Sequence, residues 1–414
     1  MKKKICVIGL GYIGLPTATL LVNHGYKVFG VDTNEKIIKK IQQQKINFTE
    51  PMLNSSVKSA IKSGRFKVFK KPKPSDIYII CVPTPIKNNT TNPRPDMKYV
   101  FQAIRSIIPL VVAGNFIILE STSPVGTISK MQNILKKSIV DINNIHIAYC
   151  PERVLPGKIM RELKKNDRVV GGLNLKATKN IANFYRDFVN GEILETDAKT
   201  AELCKLAENS FRDVNIAFAN ELSLICDRQG INPWELIRLT NHHPRVNILQ
   251  PGIGVGGHCI ALDPWFIIYQ NKMNSQLIRK SREINNYKTT WVIKKIKWII
   301  NNKYYLIRKK IKISCLGLAF KPNVDDLRES PAINIVERLI SQGHNVVAVE
   351  PNINRHDTIP LVDLKEAFCW ADLIIILVKH REFLKLKDLG RSHRSKILDF
   401  CGLFEKNSYE NFNS

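Results

Sequence analysis

The stretch Ile5-Cys6-Val7-Ile8-Gly9-Leu10-Gly11-Tyr12-Ile13-Gly14 decides how the chain begins to fold. Its opening, a short apolar run rich in β-branched residues, predicts a strand, and the pattern over 14–24 predicts a helix. Between them stand three glycines spaced G-x-G-x-x-G, in the strand-turn-helix setting that dinucleotide binding requires. Gly9 permits a tight turn, Gly11 lets the backbone approach a pyrophosphate, and Gly14 lets helix and strand pack closely. The helix N-terminus offers N–H groups and partial positive charge to the phosphates. A second strand over 26–31 ends at Asp32, 23 positions after Gly9. A carboxylate there accepts hydrogen bonds from a ribose diol and repels a 2′-phosphate, which favours NAD over NADP. Lys36 tempers that preference without reversing it.

Further strands are predicted over 76–82, 115–119 and 146–150. They run into Pro83-Thr84-Pro85, Glu120-Ser121-Thr122-Ser123-Pro124 and Pro151-Glu152-Arg153-Val154-Leu155-Pro156-Gly157. Open parallel sheets bind ligands at strand C-termini, so Thr84 and Thr122 are candidate cofactor contacts; each also reads as a plain turn residue. Over 200–230 the period turns helical without Pro or Gly before Gly230, giving roughly 45 Å of helix. Lys205, Asn209 and Arg212 share one face of it, a stripe that reads equally as functional or as solvated. The strand-helix alternation then resumes: strands over 311–316, 345–350, 373–378 and 396–400, with a helix over 330–343. The expected fold is α/β, two Rossmann-like doubly wound domains joined by a long central helix. We place the NAD-binding domain at 1–195, a central helical domain at 196–300 whose long helix can connect two domains or form a dimer seam, and a second nucleotide fold at 301–414.

Composition agrees. The 414 residues suggest two or three domains. With 44% hydrophobic and 24% charged residues, the chain is ordinary for a soluble globular protein, which excludes disorder, collagen and a disulfide-stapled mini-protein. No run reaches the roughly 18 uninterrupted apolar residues of a membrane span. The basic, apolar N-terminus imitates a secretory signal, but Gly9, Gly11, Gly14 and Pro16 break it, so a cytoplasmic protein is expected. Lys and Arg number 63 against 36 Asp and Glu, a formal charge of +27. Scattered as they are, these residues suggest compositional drift together with a substrate carrying phosphates. The densest basic block, 291–312, reads as a helix and a following loop, and a membrane-surface contact stays open there.

Nine cysteines without a C-x-x-C pair argue against a zinc ribbon or disulfide frame. Cys6, Cys81 and Cys315 sit in apolar runs as small hydrophobes. Cys259 differs. It follows Gly252-Ile253-Gly254-Val255-Gly256-Gly257-His258 and precedes Asp263 by four positions, on a loop that exposes backbone N–H groups to a substrate. A thiol so placed suits a nucleophile. A metal site from His258, Cys259 and Asp263 with His242 and His243 matches no common zinc spacing, and no metal is expected. Nicotinamide binding with a nucleophilic thiol points to oxidation of an alcohol to an aldehyde, capture as a thiohemiacetal, oxidation to a thioester, and hydrolysis to a carboxylate.

Over nearly its whole length the chain resembles the nucleotide-sugar 6-dehydrogenases. The resemblance rests on Gly9 to Gly14, Ser121-Thr122-Ser123-Pro124-Val125-Gly126, Cys150-Pro151-Glu152-Arg153, Lys205 with Asn209, Gly256-Gly257-His258-Cys259 with Asp263, and the run 317–328 (GLAFKPNVDDLR). It implies Cys259 as covalent nucleophile, Lys205 and Asn209 at the oxyanion, Asp263 orienting a water, and Thr122 with Glu152 in thioester hydrolysis. Tyr12, Ile13, Asp32, Lys36, Thr84, Thr122 and Arg328 would meet NAD. Arg153, Val154, Lys205, Asn209, Arg212, His243, Arg245, Gly256, Phe320 and Lys321 would bind a UDP-sugar. It also implies a homodimer in which the surroundings of His243 and Arg245 serve the neighbouring subunit, with no nucleic acid and no membrane insertion. UDP-glucose dehydrogenases commonly carry a second Glu four positions after the Pro-Glu acid; Pro156 stands there. That departure, with His242 to Asn247 and Asp263 to Phe266, favours an acetamido sugar. The family rivals are UDP-glucose and UDP-N-acetylglucosamine; the rival of another class is a basic, NAD-regulated nucleic-acid binder.

Overall fold

A computed structural model of the chain describes residues 2–45, 50–87, 93–138, 142–304, 311–388 and 396–404. It divides into two compact units, Met1–Glu208 with Trp265–Gln270, and Asn209–Pro264 with Asn271–Ser414.

The first unit contains β1 (Lys4–Ile8), β2 (Lys27–Val31), β3 (Phe66–Phe69), β4 (Ile77–Ile80), the short antiparallel pair β5 (Ile86–Lys87) and β6 (Arg94–Pro95), then β7 (Phe116–Leu119), β8 (His146–Tyr149), β9 (Arg168–Gly172) and β10 (Ile193–Asp197). Eight of these form one sheet in the order β10-β9-β8-β7-β4-β1-β2-β3. Its central strands are buried at every position of β4, β7 and β8, because helices cover both faces; that is why they read as continuous apolar runs. Alternation divides the side chains. Ile5, Val7, Ile77, Ile79, Phe116 and Ile118 pack into one core, and Cys6, Ile8, Tyr78, Ile80, Ile117 and Leu119 into another. The sheet is parallel except where β9 meets β8 antiparallel, with Gly172 opposite Ala148. A reversed edge pair, β9 with β10, is thus added to the doubly wound sheet.

The second unit holds β11 (Lys312–Leu316), β12 (Asn345–Val349), β13 (Leu373–Ile376) and β14 (Ile397–Asp399), all parallel in the order β12-β11-β13-β14. Ser330 caps the helix Pro331–Ser341 by accepting from Ala332 N.

The central helix runs Ala198–Gln229. In the second unit it packs along the helix Gln276–Lys303 through a buried polar seam. Arg282 Nη1 lies 2.7 Å from Asp213 Oδ1, Asn220 donates to Asn285 at 2.9 Å, and Lys288 Nζ donates to Ser223 Oγ at 2.7 Å. Burial pushes Lys288 down to about 7, against the pull of Asp227. The basic block predicted over 291–312 lies in this helix as far as Lys303, its last residue Lys312 opens β11, and Val292, Ile296 and Ile299 are buried in the core of the second unit. Residues 305–310 of that block lie outside the described residues. Among the described residues no helix is long and apolar enough to cross a membrane.

Candidate active site

Within the first unit, the turn after β1 has the form its glycines imply. A Cβ on Gly14 would stand 1.8 Å from Gly9 O, so only glycine allows this helix to begin against the turn. A Cβ on Gly11 would meet nothing within 4 Å. That open side, at the start of the helix Gly14–Asn23 with no acid in its first turn, suits an anionic diphosphate. Asp32 is half-buried; its Oδ2 accepts from Leu10 N at 3.0 Å and its Oδ1 from Asn34 N at 2.8 Å. Two bonds leave a carboxylate acceptor capacity for a ribose hydroxyl. These residues fit a dinucleotide. Tyr12 and Ile13 are half-buried on the same turn, Lys36 is exposed in the first turn of the helix Glu35–Gln42, and Thr84 is buried beyond β4.

The loop carrying Thr122 is fixed from two sides. Ser121 Oγ donates to Val82 O at 2.7 Å, joining the loops that follow β4 and β7. Glu202 accepts from Gly126 N at 2.6 Å and Ile128 N at 2.7 Å, capping the helix Thr127–Lys136 from the central helix. Burial pushes Glu202 up to about 7 despite those N–H groups. Three positions further on, Lys205 Nζ donates to Glu152 O at 2.7 Å. Arg153 pairs with Glu208 at 2.7 Å, and Val154 packs beside the core.

Within the second unit, Asn209 Nδ2 donates to Asp263 Oδ2 at 2.5 Å, both side chains buried. Asp263 opens the helix Asp263–Gln270, and its N–H donates to Cys259 O at 2.8 Å. Cys259 is exposed. The loop before it lies against the turn after β11. A Cβ on Gly257 would meet the Phe320 ring at 2.7 Å, one on Gly256 would meet Glu329 O at 2.4 Å, and Gly257 N donates to Arg328 O at 3.1 Å. Arg328 grips Asp326, its Nη2 2.7 Å from Oδ2. Lys321 Nζ stands 5.8 Å from the Phe320 ring centroid. Burial and the Arg328 charge push His258 below its ordinary value. Arg212, His243 and Arg245 are exposed.

The cysteines sort by reactivity. Burial pushes the Cys6 thiol up to about 11 and Cys150 and Cys315 up to about 12; such thiols are inert. Cys259 and Cys369 are the exposed ones, and of these only Cys259 stands on the glycine loop beside a carboxylate. Among the described residues no group of three or more His, Cys, Asp or Glu side chains is arranged to hold a metal ion.

Sequence reasoning missed Glu202 and a buried set around Glu152, namely Glu120, Arg168, Tyr185 and Cys81. Each is a polar residue whose partner lies far away in the chain, so no local spacing marks it.

A glycine turn fitted to a dinucleotide, a second nucleotide fold and an exposed thiol define an NAD-dependent dehydrogenase of nucleotide sugars. The chain belongs to the UDP-glucose/GDP-mannose dehydrogenase family: residues 3–189 match its NAD binding domain, 199–287 its central domain and 314–406 its UDP binding domain. It is 47% identical over 421 residues to UDP-N-acetyl-D-mannosamine dehydrogenase of Campylobacter jejuni, covering 96% of this chain and 99% of that one. With the enzyme of the same name from Escherichia coli (strain K12) it shares 48% identity over 419 residues, covering 97% and 99%. Its fold is similar to the structure of UDP-D-ManNAc dehydrogenase from Pyrococcus horikoshii, with a TM-score of 0.88, 37% identity and coverage of 97% and 96%.

Proposed function

We propose that this protein oxidises the C6 alcohol of UDP-N-acetyl-D-mannosamine, with two NAD, to UDP-N-acetyl-D-mannosaminuronate for a bacterial surface polysaccharide, working in the cytoplasm. The names of its relatives and Pro156 support the sugar. The observation that carries the chemistry is the exposed Cys259, with Asp263 following it and bonded to Asn209. NAD, when bound, accepts the hydride in each oxidation.

The chain's own groups do the rest. As the C6 alcohol becomes an aldehyde, Lys205 takes part in moving the hydroxyl proton to solvent. The Cys259 thiolate then adds to the aldehyde carbon, and the resulting alkoxide oxygen is stabilised by Lys205 and Asn209 as donors. Oxidation of this thiohemiacetal leaves a thioester. Asp263 and Thr122 orient a water and Glu152 takes its proton; the water oxygen adds to the acyl carbon, and the carbon–sulfur bond breaks to return the thiolate. Arg153, Val154, Arg212, His243, Arg245, Gly256, Phe320 and Lys321 hold the UDP-sugar, and the basic excess suits its diphosphate. Tyr12, Ile13, Asp32, Lys36, Thr84 and Arg328 hold NAD. The divisions 1–195, 196–300 and 301–414 serve as cofactor, central and UDP-sugar domains in this reading.

Cys259→Ser is expected to abolish acid formation while NAD binding, measured by calorimetry, is kept. Full turnover, counted at 340 nm as two NADH per acid, would remove the covalent step. Faster turnover of UDP-glucose or UDP-N-acetylglucosamine in the same assay would replace the proposed sugar.

The same reading includes a homodimer. Phe211, Phe218 and Ile225, spaced by seven on the central helix, are 69%, 52% and 47% exposed, an apolar stripe with the repeat of a helix–helix seam. Phe218→Glu is expected to give monomers in light scattering; an unchanged dimer would place the interface elsewhere.

A further inference from the structure

Glu152 does not stand alone in the first unit. Arg168, the first residue of β9, sends its guanidinium inward; its side chain is 4% exposed. Nη2 lies 3.0 Å from Glu152 Oε2 and donates to Leu163 O at 3.3 Å. Nη1 lies 3.8 Å from Glu120 Oε1, and the guanidinium carbon sits 5.0 Å from the centroid of the Tyr185 ring. Glu120, fully buried, accepts from Tyr185 OH at 2.7 Å and from Cys81 Sγ at 3.2 Å. The other Glu152 oxygen accepts from Arg153 N at 2.8 Å, and the Glu152 carbonyl is the oxygen that Lys205 holds. One cation therefore stands between two buried acids, and one of those acids is tied through its own backbone to the catalytic lysine.

A buried triad of this composition is an expensive way to hold a fold. Removing charges from water is costly, and an apolar substitute of equal size often does as well. Two carboxylates against one guanidinium also leave an uncompensated negative charge if both ionise. Burial, reinforced by Glu152 and opposed by Arg168, pushes Glu120 above its ordinary value. The remaining titratable groups facing the triad, Cys81, Cys150 and Tyr185, are all raised, each chiefly by burial. Glu120 therefore surrenders its charge more readily than an exposed carboxyl does, and the Arg168 guanidinium faces the Glu152 side chain.

We infer that Arg168 is a positioning residue for thioester hydrolysis: clamped between Glu120 and Glu152, it fixes the Glu152 carboxylate in one rotamer. The inference rests on the reading of Glu152 as the group that takes the proton from water. Arg168 touches neither substrate nor cofactor in this role; it acts through Glu152.

The test uses the full-length enzyme with UDP-N-acetyl-D-mannosamine and NAD, quenched in acid and weighed intact. Glu152→Gln and Arg168→Met should both slow acid release by about a hundredfold and accumulate the acyl adduct on Cys259, with KM changed less than threefold. Arg168→Lys, which keeps the charge, should recover part of the rate. The acid limb of the kcat profile should move up in pH for Arg168→Lys and move little for Glu120→Gln, because burial already pushes Glu120 toward its neutral form; loss of packing does not separate the two variants in this way. If Glu152→Gln traps the adduct but the Arg168 variants do not, and the acid limb of Arg168→Lys does not move, Arg168 is only a piece of core. If Glu152→Gln releases acid at the normal rate, the reading of Glu152 fails whatever Arg168 does. Should Arg168→Met fail to fold, as judged by circular dichroism, the rate, the adduct and the acid limb of Arg168→Lys decide the matter.

Discussion

At the turn after β1, Gly9 N donates to Val31 O at 2.8 Å, and at the turn after β11, Gly317 N donates to Val349 O at the same distance. The next amide in each, Leu10 or Leu318, donates to the acid that ends the second strand, Asp32 at 3.0 Å or Glu350 at 2.8 Å. Each first strand lies between the same kinds of neighbour, β1 between β2 and β4, β11 between β12 and β13. Beyond this skeleton the two part company. Asp32 is half-buried and, among the described residues, takes one further bond, from Asn34 N. The Glu350 side chain is wholly buried and takes four more, from Ala319 N, from both nitrogens of Asn352, and from His380 Nε2 at 3.0 Å. Where the first turn has Gly11 and Gly14, the second has Ala319 and Pro322, and its helix begins only at Pro331. In one turn the acid remains available to a ligand; in the other the protein has used it to hold its own loop, the loop that carries Phe320 and Lys321.

Removing the acid should therefore have opposite consequences in the two turns. Glu350→Ala leaves the Leu318 and Ala319 amides and His380 without their acceptor in a buried place. It is expected to cost about 3–5 kcal/mol of stability at pH 7, measured by denaturant unfolding, and to leave NAD affinity unchanged. The pH dependence has a definite sign. Asn323 N donates to His380 Nδ1 at 2.9 Å, so the ring proton sits on Nε2 and is donated to Glu350. Burial opposes ionisation, but that bond and the two backbone N–H groups hold Glu350 down at about 2 against an ordinary 4.5. A depressed acid contributes its stability above the unfolded value and loses it as pH falls toward the folded one. The gap between wild type and Glu350→Ala should be full above about pH 5 and close between pH 4.5 and 2. A gap that stays constant down to pH 3 would mean that the charge of Glu350 contributes nothing.

Asp32→Ala should do the reverse, touching the ligand more than the fold. NAD affinity is expected to fall about tenfold, or about 1.4 kcal/mol, with NADP affinity unchanged or improved because the repulsion of a 2′-phosphate is gone. Calorimetric titration of both cofactors checks this. An unaltered ratio of the two affinities would take Asp32 away from the ribose and erase the contrast with Glu350.

The parts of this design that were legible in the sequence are those in which neighbours in the chain are neighbours in space. The strand predicted over 76–82 is β4, trimmed to Ile77–Ile80, because burial on both faces makes a sheet strand a continuous apolar word. The helix predicted over 200–230 runs Ala198–Gln229 because nothing breaks its period. Cys259 stood out because its glycines are adjacent to it. What could not be read is pairing across long separations. Arg168 opens a strand and looks like a surface charge, yet its partners lie 16 and 48 positions earlier. Arg282 and Lys288 look like the solvated face of a basic helix, but they meet Asp213 and Ser223 on another helix. The antiparallel meeting of β8 and β9 is invisible for the same reason, since an apolar run carries no mark of its neighbour's direction.

The smallest effect belongs to an attempt to make the second turn resemble the first. Ala319 occupies the position of Gly11, so Ala319→Gly restores the second glycine of the motif. If side-chain bulk alone kept a dinucleotide away, that variant would begin to bind a second NAD. The hydrogen bonds argue otherwise: the Ala319 amide is already donated to Glu350 at 2.9 Å, and removing a methyl group does not release it. Glycine there adds only backbone entropy to the unfolded chain, a cost of about 0.5–1 kcal/mol. Calorimetry should therefore still find one NAD per chain, with the unfolding midpoint slightly lowered. A second equivalent of NAD would show that the acid in the second turn is no more committed to the fold than its counterpart in the first.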